Sequence, residues 1–330
     1  MKALVTGGTG FIGSRVVDLL TANGHSVRLF SRRHELPSRF AGKDVVLFPG
    51  DLSDPDTVLD AMAGMEVFYH IGEIKNSSPR AAKMNVQLMQ RILERLGKSG
   101  IKRLVFISSL TVAGIPSRTP ATEETAPLVN FEDHYTWYKQ QCERLLAGNV
   151  TGAEYAVVRP GVVYGSGSRH LKGLISAIDT LGPVGIPFIG RGHNVAPLIH
   201  ADDLAHAVYL AGIERGAAGQ VFNLTSGSSD TWSDFLTAIA GALGKKLKIL
   251  PVPPLLLKVP SRVLDVLSGL FRVTFSLNAY VQYVTTDLLF DNSKAQRILN
   301  WKPEFTVSRG VEEMVRGCRG KKGGPRAEGG

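Results

Sequence analysis

Cysteine is nearly absent. The 330 residues contain only Cys142 and Cys318, too few for a disulfide scaffold and consistent with a reducing compartment. Long apolar runs are missing as well. The longest, from Ile249 to Leu257, already holds three prolines and stops at Lys258. A spanning helix needs roughly 18 consecutive apolar residues, so the sequence predicts no transmembrane segment. Met1 and Lys2 lead directly into a strand-like run, without the apolar core of a signal peptide, and cytoplasm is the expected location. Charge is scarce at 20% of residues, yet hydrophobic residues reach 44%, which excludes wholesale disorder.

The net charge is +9. Arg316 to Gly330 carries five Lys/Arg against one Glu and has no apolar period, so it is expected to be a disordered basic tail. No basic run is interleaved with aromatics, which argues against a nucleic-acid partner and leaves small anionic molecules.

Short β-branched runs alternate with helical patterns through the first half. Ala3–Val5, Val27–Phe30, Val45–Phe48, Val67–His70, Leu104–Ile107 and Tyr155–Val158 read as strands. Helical patterns at Gly13–Leu20, Thr57–Met62, Ala81–Leu96 and Tyr135–Leu146 separate most of them. Strands apolar on both faces and alternating with helices predict an α/β fold: a Rossmann-type, doubly wound parallel sheet. After Gly165 the texture becomes Gly- and Pro-rich, with one more helix at Ala201–Ala211 and a strand at Val221–Leu224. The expected division is a Rossmann domain over 1–165, completed by pieces near 193–225 and 285–295. A smaller substrate lobe interleaves over 166–315, and the tail follows at 316–330.

Thr6-Gly7-Gly8-Thr9-Gly10-Phe11-Ile12-Gly13 follows the first strand and opens the first helix. In the pattern Gly7-x-x-Gly10-x-x-Gly13 the first glycine takes a tight turn, the second lets backbone approach a pyrophosphate, and the third allows close helix–sheet packing. The helix N-terminus supplies free N–H groups for phosphate. At the end of strand two, where a carboxylate would hold an unphosphorylated ribose, the chain has Ser31-Arg32-Arg33. An arginine fork suits a 2′-phosphate, so Arg32 predicts NADP, with NAD the alternative. Asp51 is placed to reach an adenine edge or to cap the following helix.

Tyr135 and Lys139 are spaced i, i+4 and share one helix face. An ammonium beside a phenol is expected to lower its pKa from about 10 towards neutrality, making an acid/base. Tyr138 is not expected to pair with Lys139, because adjacent helical residues diverge. Ser108 and Ser109 end the strand Leu104–Ile107, at the carboxyl edge where parallel sheets bind ligands.

With these residues the chain resembles the extended short-chain dehydrogenase/reductases, the branch with nucleotide-sugar epimerases, dehydratases, hydroxysteroid dehydrogenases and dihydroflavonol-type reductases. The matching pieces are Thr6–Gly13, Gly50-Asp51-Leu52, Asn85, Phe106–Gly114, Tyr135/Lys139, Arg159–Gly165, His200–Ala205 and Trp301-Lys302-Pro303, in family order. The resemblance implies that Ser109 orients the substrate oxygen, Tyr135 is the acid/base, and Lys139 holds the nicotinamide ribose. It further implies cofactor contacts from Gly7, Thr9, Gly10, Phe11, Ile12, Gly13, Arg32, Asp51, Leu52, Ser108, Tyr135, Lys139, Pro160, Val162 and Val163, and no metal. Asp202-Asp203 could equally cap a helix, and Trp301 could be core.

Departures narrow the chemistry. Dehydratases place an Asp-Glu pair after the residue matching Ser109; here Leu110-Thr111 stand there. Epimerases often carry an arginine ahead of the His-x-Asp-Asp segment; Asn194–Ile199 has no cation. Glu73 replaces a small residue near the nicotinamide, as a substrate contact or a surface carboxylate. The segment 251–271 reads as core, with a hydrophobic pocket or a weakly membrane-associating patch as the sharper alternatives. The leading expectation is an NAD(P)-dependent oxidoreductase interconverting a secondary alcohol and a ketone on an apolar, sterol- or polycyclic-like molecule. A sugar epimerase with tightly bound NAD is the runner-up. A non-catalytic NADP sensor ranks below both, because such sensors lose the Tyr/Lys pair retained here. A homodimer is expected by analogy only.

Overall fold

The computed structural model describes residues 1–75, 78–148, 153–254 and 277–319. Strands β1 (Lys2–Thr6), β2 (Ser26–Ser31), β3 (Val45–Pro49), β4 (Val67–His70) and β5 (Arg103–Ile107) are joined by helices α1 (Gly13–Ala22), α2 (Pro55–Met62) and α3 (Pro79–Ser99). A short antiparallel pair, β6 (Ile115–Pro116) with β7 (Pro127–Val129), precedes α4 (His134–Ala147), β8 (Glu154–Pro160) and β9 (Val162–Tyr164). Then come α5 (Lys172–Leu181), β10 (Ile186–Ile189), β11 (Leu198–His200), α6 (Ala201–Ile213), β12 (Gln220–Leu224), α7 (Trp232–Leu243) and β13 (Ile249–Val252). Helices α8 (Leu277–Thr285), α9 (Ser293–Leu299) and α10 (Val307–Arg319) complete the described chain.

The main sheet has seven parallel strands in the order β12-β8-β5-β4-β1-β2-β3. Both faces are covered. One core joins the sheet to α1, α6 and α9 through Val16, Leu20, Leu204, Val208 and Leu299. The other joins it to α2, α3 and α4 through Met62, Leu88, Ile92 and Leu146. This two-sided burial explains the near-continuous apolar strands. The order reverses between β1 and β4, which opens a crevice beyond their carboxyl ends.

Of the second half, α6, β12 and α9 pack on the main sheet, whereas α5, α7, α8 and α10 share a separate core with Tyr164, Phe235, Val311 and Met314. Helix α10 continues through Arg319, whose Nη2 donates to Leu243 O at 2.7 Å, so residues 316–319 are helical rather than tail. A basic last turn suits a helix C-terminus, which composition alone concealed. The rest of the tail, and residues 255–271 of the apolar segment, lie outside the described residues.

Candidate active site

The glycine loop is closed by contacts that only hydrogen at Cα permits. Gly7 has φ +70°, and a Cβ there would lie 2.6 Å from Gly72 N. A Cβ on Gly13 would fall 2.3 Å from Gly7 O. Helix α1 has Ile12 at its N-cap with no side-chain cap; Ser14 N and Arg15 N donate to Gly10 O and Ile12 O at 3.1 and 3.0 Å, so Phe11, Ile12 and Gly13 are the amides placed for an outside acceptor. Thr9, Gly10, Phe11 and Ile12 are only partly buried along this loop. Arg15 anchors the helix start, with Nη1 donating to Phe11 O at 2.9 Å and Nε to Asp202 Oδ1 at 2.5 Å. A tight glycine cradle against an uncapped helix start fits a dinucleotide pyrophosphate.

At the β2 and β3 ends, Arg32 Nε lies 3.9 Å from Asp51 Oδ2, and the Arg32 side chain is 83% exposed. An ion pair this exposed is worth little and leaves the guanidinium available. Asp51 does not cap α2; it accepts from Ser53 N and Oγ, each at 2.8 Å, and Asp54 is the cap. Those bonds, the backbone one foremost, hold the Asp51 carboxyl below its usual range. Leu52 packs beside Gly72 at the same edge.

Ser109 follows β5 and caps a short 3-10 turn, accepting from Thr111 N at 3.2 Å and Thr111 Oγ1 at 3.0 Å. Helix α4 is set by Asp133, which accepts from Thr136 N at 2.8 Å and Oγ1 at 2.7 Å. That cap brings Tyr135 within hydrogen-bonding reach of Ser109. Lys139 is buried, donates from Nζ to Ile107 O at 2.6 Å, and lies 5.6 Å from the Tyr135 ring centroid. Ser109, Tyr135 and Lys139 therefore converge at the carboxyl end of β5. Pro160, Val162 and Val163 sit at the adjacent end of β8, where Ser108 N donates to Val158 O at 2.7 Å.

Three expectations change. Ser108 turns its hydroxyl to Glu143, which is paired with Arg159 behind the site, so this side chain supports an ion pair instead of facing a cofactor. Side chains alternate along an extended backbone, and Ser109 takes the opposite direction. Tyr138 does meet Lys139: its ring centroid is 5.0 Å from Nζ, and its hydroxyl donates to Glu73 Oε2. Long side chains on adjacent residues here converge on one carboxylate, which Cα spacing does not reveal. Finally, the Tyr135 phenol is held above its ordinary range, mainly by burial and then by Glu73, against the Ser109 hydrogen bond. The Lys139 ammonium is directed at Ile107 O and at Glu73 Oε2, 3.9 Å away, and the phenol stays above its ordinary range instead of falling towards neutrality.

His70 has no counterpart in the sequence reading. It is buried, with Nδ1 at 2.9 Å from Thr6 Oγ1, and that hydroxyl oxygen accepts from Gly72 N at 3.2 Å. Thr6 Oγ1 thus links the buried ring to the backbone of Gly72, beside the glycine loop. Burial, then the Lys139 charge, pushes His70 down to about 3. Tyr283 of α8 was also missed, since nothing near 283 signals a cleft. It belongs to an aromatic row of Phe131, Tyr283, Trp232 and Phe188, with successive centroids 5.8, 6.4 and 6.4 Å apart. Its hydroxyl is close enough to influence Tyr135 electrostatically. His200, not Asp202 or Asp203, caps α6; Asp203 instead accepts from Glu304 N at 2.9 Å, and Trp301 Nε1 donates to Asp203 O at 2.9 Å from the core.

Residues 3–225 match the family model described as NAD dependent epimerase/dehydratase family. The chain is 26% identical to a 3 beta-hydroxysteroid dehydrogenase/Delta 5-->4-isomerase of Mycobacterium tuberculosis, over 95% of this chain and 89% of that protein. It is 26% identical to a UDP-glucose 4-epimerase of Vibrio cholerae, over 94% of each. Among solved structures, a UDP-glucose 4-epimerase of Thermotoga maritima superposes with a TM-score of 0.76 at 22% identity, covering 98% of this chain and 100% of that one.

Proposed function

The chain belongs to the NAD dependent epimerase/dehydratase family, and from that premise we propose an NADP(H)-dependent oxidoreductase that interconverts a ketone and a secondary alcohol on an apolar, ring-bearing molecule. The convergence of Ser109, Tyr135 and Lys139 beside the glycine cradle carries the reading. Bound nicotinamide supplies or accepts the hydride. Ser109 Oγ donates to the substrate oxygen and fixes the reacting carbon. The Tyr135 hydroxyl gives that oxygen its proton during reduction and recovers it during oxidation. Lys139 holds the cofactor ribose. Gly7, Gly10 and Gly13 with the α1 N-terminus receive the pyrophosphate, and Arg32 the 2′-phosphate. Tyr283, close enough to act on Tyr135, belongs to the row Phe131–Tyr283–Trp232–Phe188, an apolar surround in keeping with the hydroxysteroid activity of the mycobacterial relative.

Calorimetric titration with NADPH and NADH, repeated on Arg32→Ala, tests the cofactor assignment. The reading expects an NADPH preference that collapses in the variant; equal or tighter NADH binding in the wild type refutes it. Turnover of a panel of cyclic ketones, with Tyr135→Phe as control, tests the chemistry. The epimerase reading, which the Vibrio relative favours, predicts no net NADPH consumption and co-purifying NAD.

A further inference from the structure

Glu73 occupies a place that the reaction as described above does not use. Its neighbours in the chain are fixed. Gly72 N donates to Thr6 Oγ1 at 3.2 Å, and Asn85 holds Ile74 on both sides, accepting from Ile74 N at 2.9 Å and donating to Ile74 O at 3.1 Å. The side chain is 31% exposed, and its Oε2 accepts from Tyr138 and faces Lys139 Nζ at 3.9 Å. Around it stand Tyr135, Tyr138 and Lys139, all from α4.

Chemistry locates the nicotinamide relative to this carboxylate. Hydride transfer needs the donor carbon about 3–3.5 Å from the substrate carbon, whose oxygen lies at the Tyr135 hydroxyl. The ring is thus confined to the immediate surroundings of Tyr135 and Lys139, and Glu73 borders the same space. The ring is cationic when oxidised and neutral when reduced. Lys139 alone would disfavour the cationic form; a carboxylate against that ammonium removes the penalty.

We propose that Glu73 is a specificity-determining residue for the redox state of the cofactor, stabilising the positively charged oxidised nicotinamide over the reduced form. This rests on the reading of Tyr135 and Lys139 as the cofactor-side machinery. At an effective dielectric near 20, a unit charge bordering the ring changes an affinity by tens of fold, and solvent at a one-third exposed group brings that to about tenfold. By favouring the oxidised product, Glu73 makes bound NADPH the stronger hydride donor and shifts the equilibrium between bound species towards the alcohol. An epimerase, which returns its hydride each cycle, gains nothing from such a bias.

The test is a calorimetric titration of the full-length wild type, Glu73→Gln and Glu73→Asp with NADP+ and NADPH separately, and with NAD+ and NADH. The glutamine preserves an acceptor for Tyr138 and removes only the charge. Glu73→Gln is expected to weaken NADP+ about tenfold while NADPH changes less than twofold, and Glu73→Asp to retain the wild-type ratio within threefold. Equal weakening of both redox forms would make Glu73 a structural residue, and no change in either affinity would remove it from the site; either outcome overturns the proposal. If the wild type binds no nicotinamide nucleotide, the cofactor reading itself fails, which is a separate and recognisable result.

Discussion

Replacing His70 by Asn should change how this protein's stability responds to acid. Asparagine offers an amide oxygen and nitrogen where Nδ1 meets Thr6 Oγ1, so the glycine loop contact can form in either direction while the titrating ring is lost. In the folded chain His70 is pushed down to about 3, from an ordinary value of 6.5, because its ring is buried between Phe68 and Phe106. A depressed pKa means that the unfolded chain binds the proton more readily. The stabilisation from neutral His70 is therefore complete above pH 6.5 and is lost as pH falls from there towards 3. Between pH 7 and pH 5 the loss amounts to about 2 kcal/mol, since each unit below the unfolded pKa contributes about 1.4 kcal/mol. Urea unfolding at both pH values measures it. The wild type should lose about 2 kcal/mol more than His70→Asn over that interval. Equal losses in the two proteins would refute the claim that the ring stays neutral in the fold.

Gly13→Ala places a Cβ 2.3 Å from Gly7 O, a backbone atom that cannot yield without opening the loop. Cofactor affinity should fall by at least tenfold in calorimetry, and binding at wild-type strength would show that the loop is looser than described. Arg159→Leu leaves Glu143 nearly buried and unpaired, so unfolding should become easier by about 3–5 kcal/mol, with partial recovery in the Glu143→Leu/Arg159→Leu double variant. Urea midpoints decide it, and a single variant no weaker than the double would contradict the ion-pair argument. Trp301→Phe removes the bond to Asp203 O from a fully buried site and should cost about 1 kcal/mol, whereas Trp301→Ala should cost about 3–5 kcal/mol by thermal unfolding.

Amino-acid order alone determined the parallel sheet and its cofactor loop. Strands such as Leu104–Ile107 are apolar on both faces only when helices cover both, and Gly7-x-x-Gly10-x-x-Gly13 directly after a strand is a local instruction that needs no distant partner. The Tyr135/Lys139 pair was legible for the same reason, since an i, i+4 spacing fixes a shared helix face. Tertiary packing decided what lay across sequence. Tyr138 and Lys139 diverge along the helix, yet both reach Glu73, 66 residues before Lys139, because β4 and β5 are adjacent in the sheet and α4 crosses their ends. The electrostatic state of Tyr135 followed from that meeting and from burial, and no spacing encodes either. Ser108 and Ser109 read as equals in the chain, but the backbone sends one hydroxyl to Glu143 and leaves the other beside Tyr135. The aromatic row joins Phe131, Phe188, Trp232 and Tyr283, which share no local pattern and meet only because the second half folds back over the sheet's carboxyl edge. Short-range geometry is written in spacing, whereas charge, burial and long-range contact depend on which distant segments share a surface.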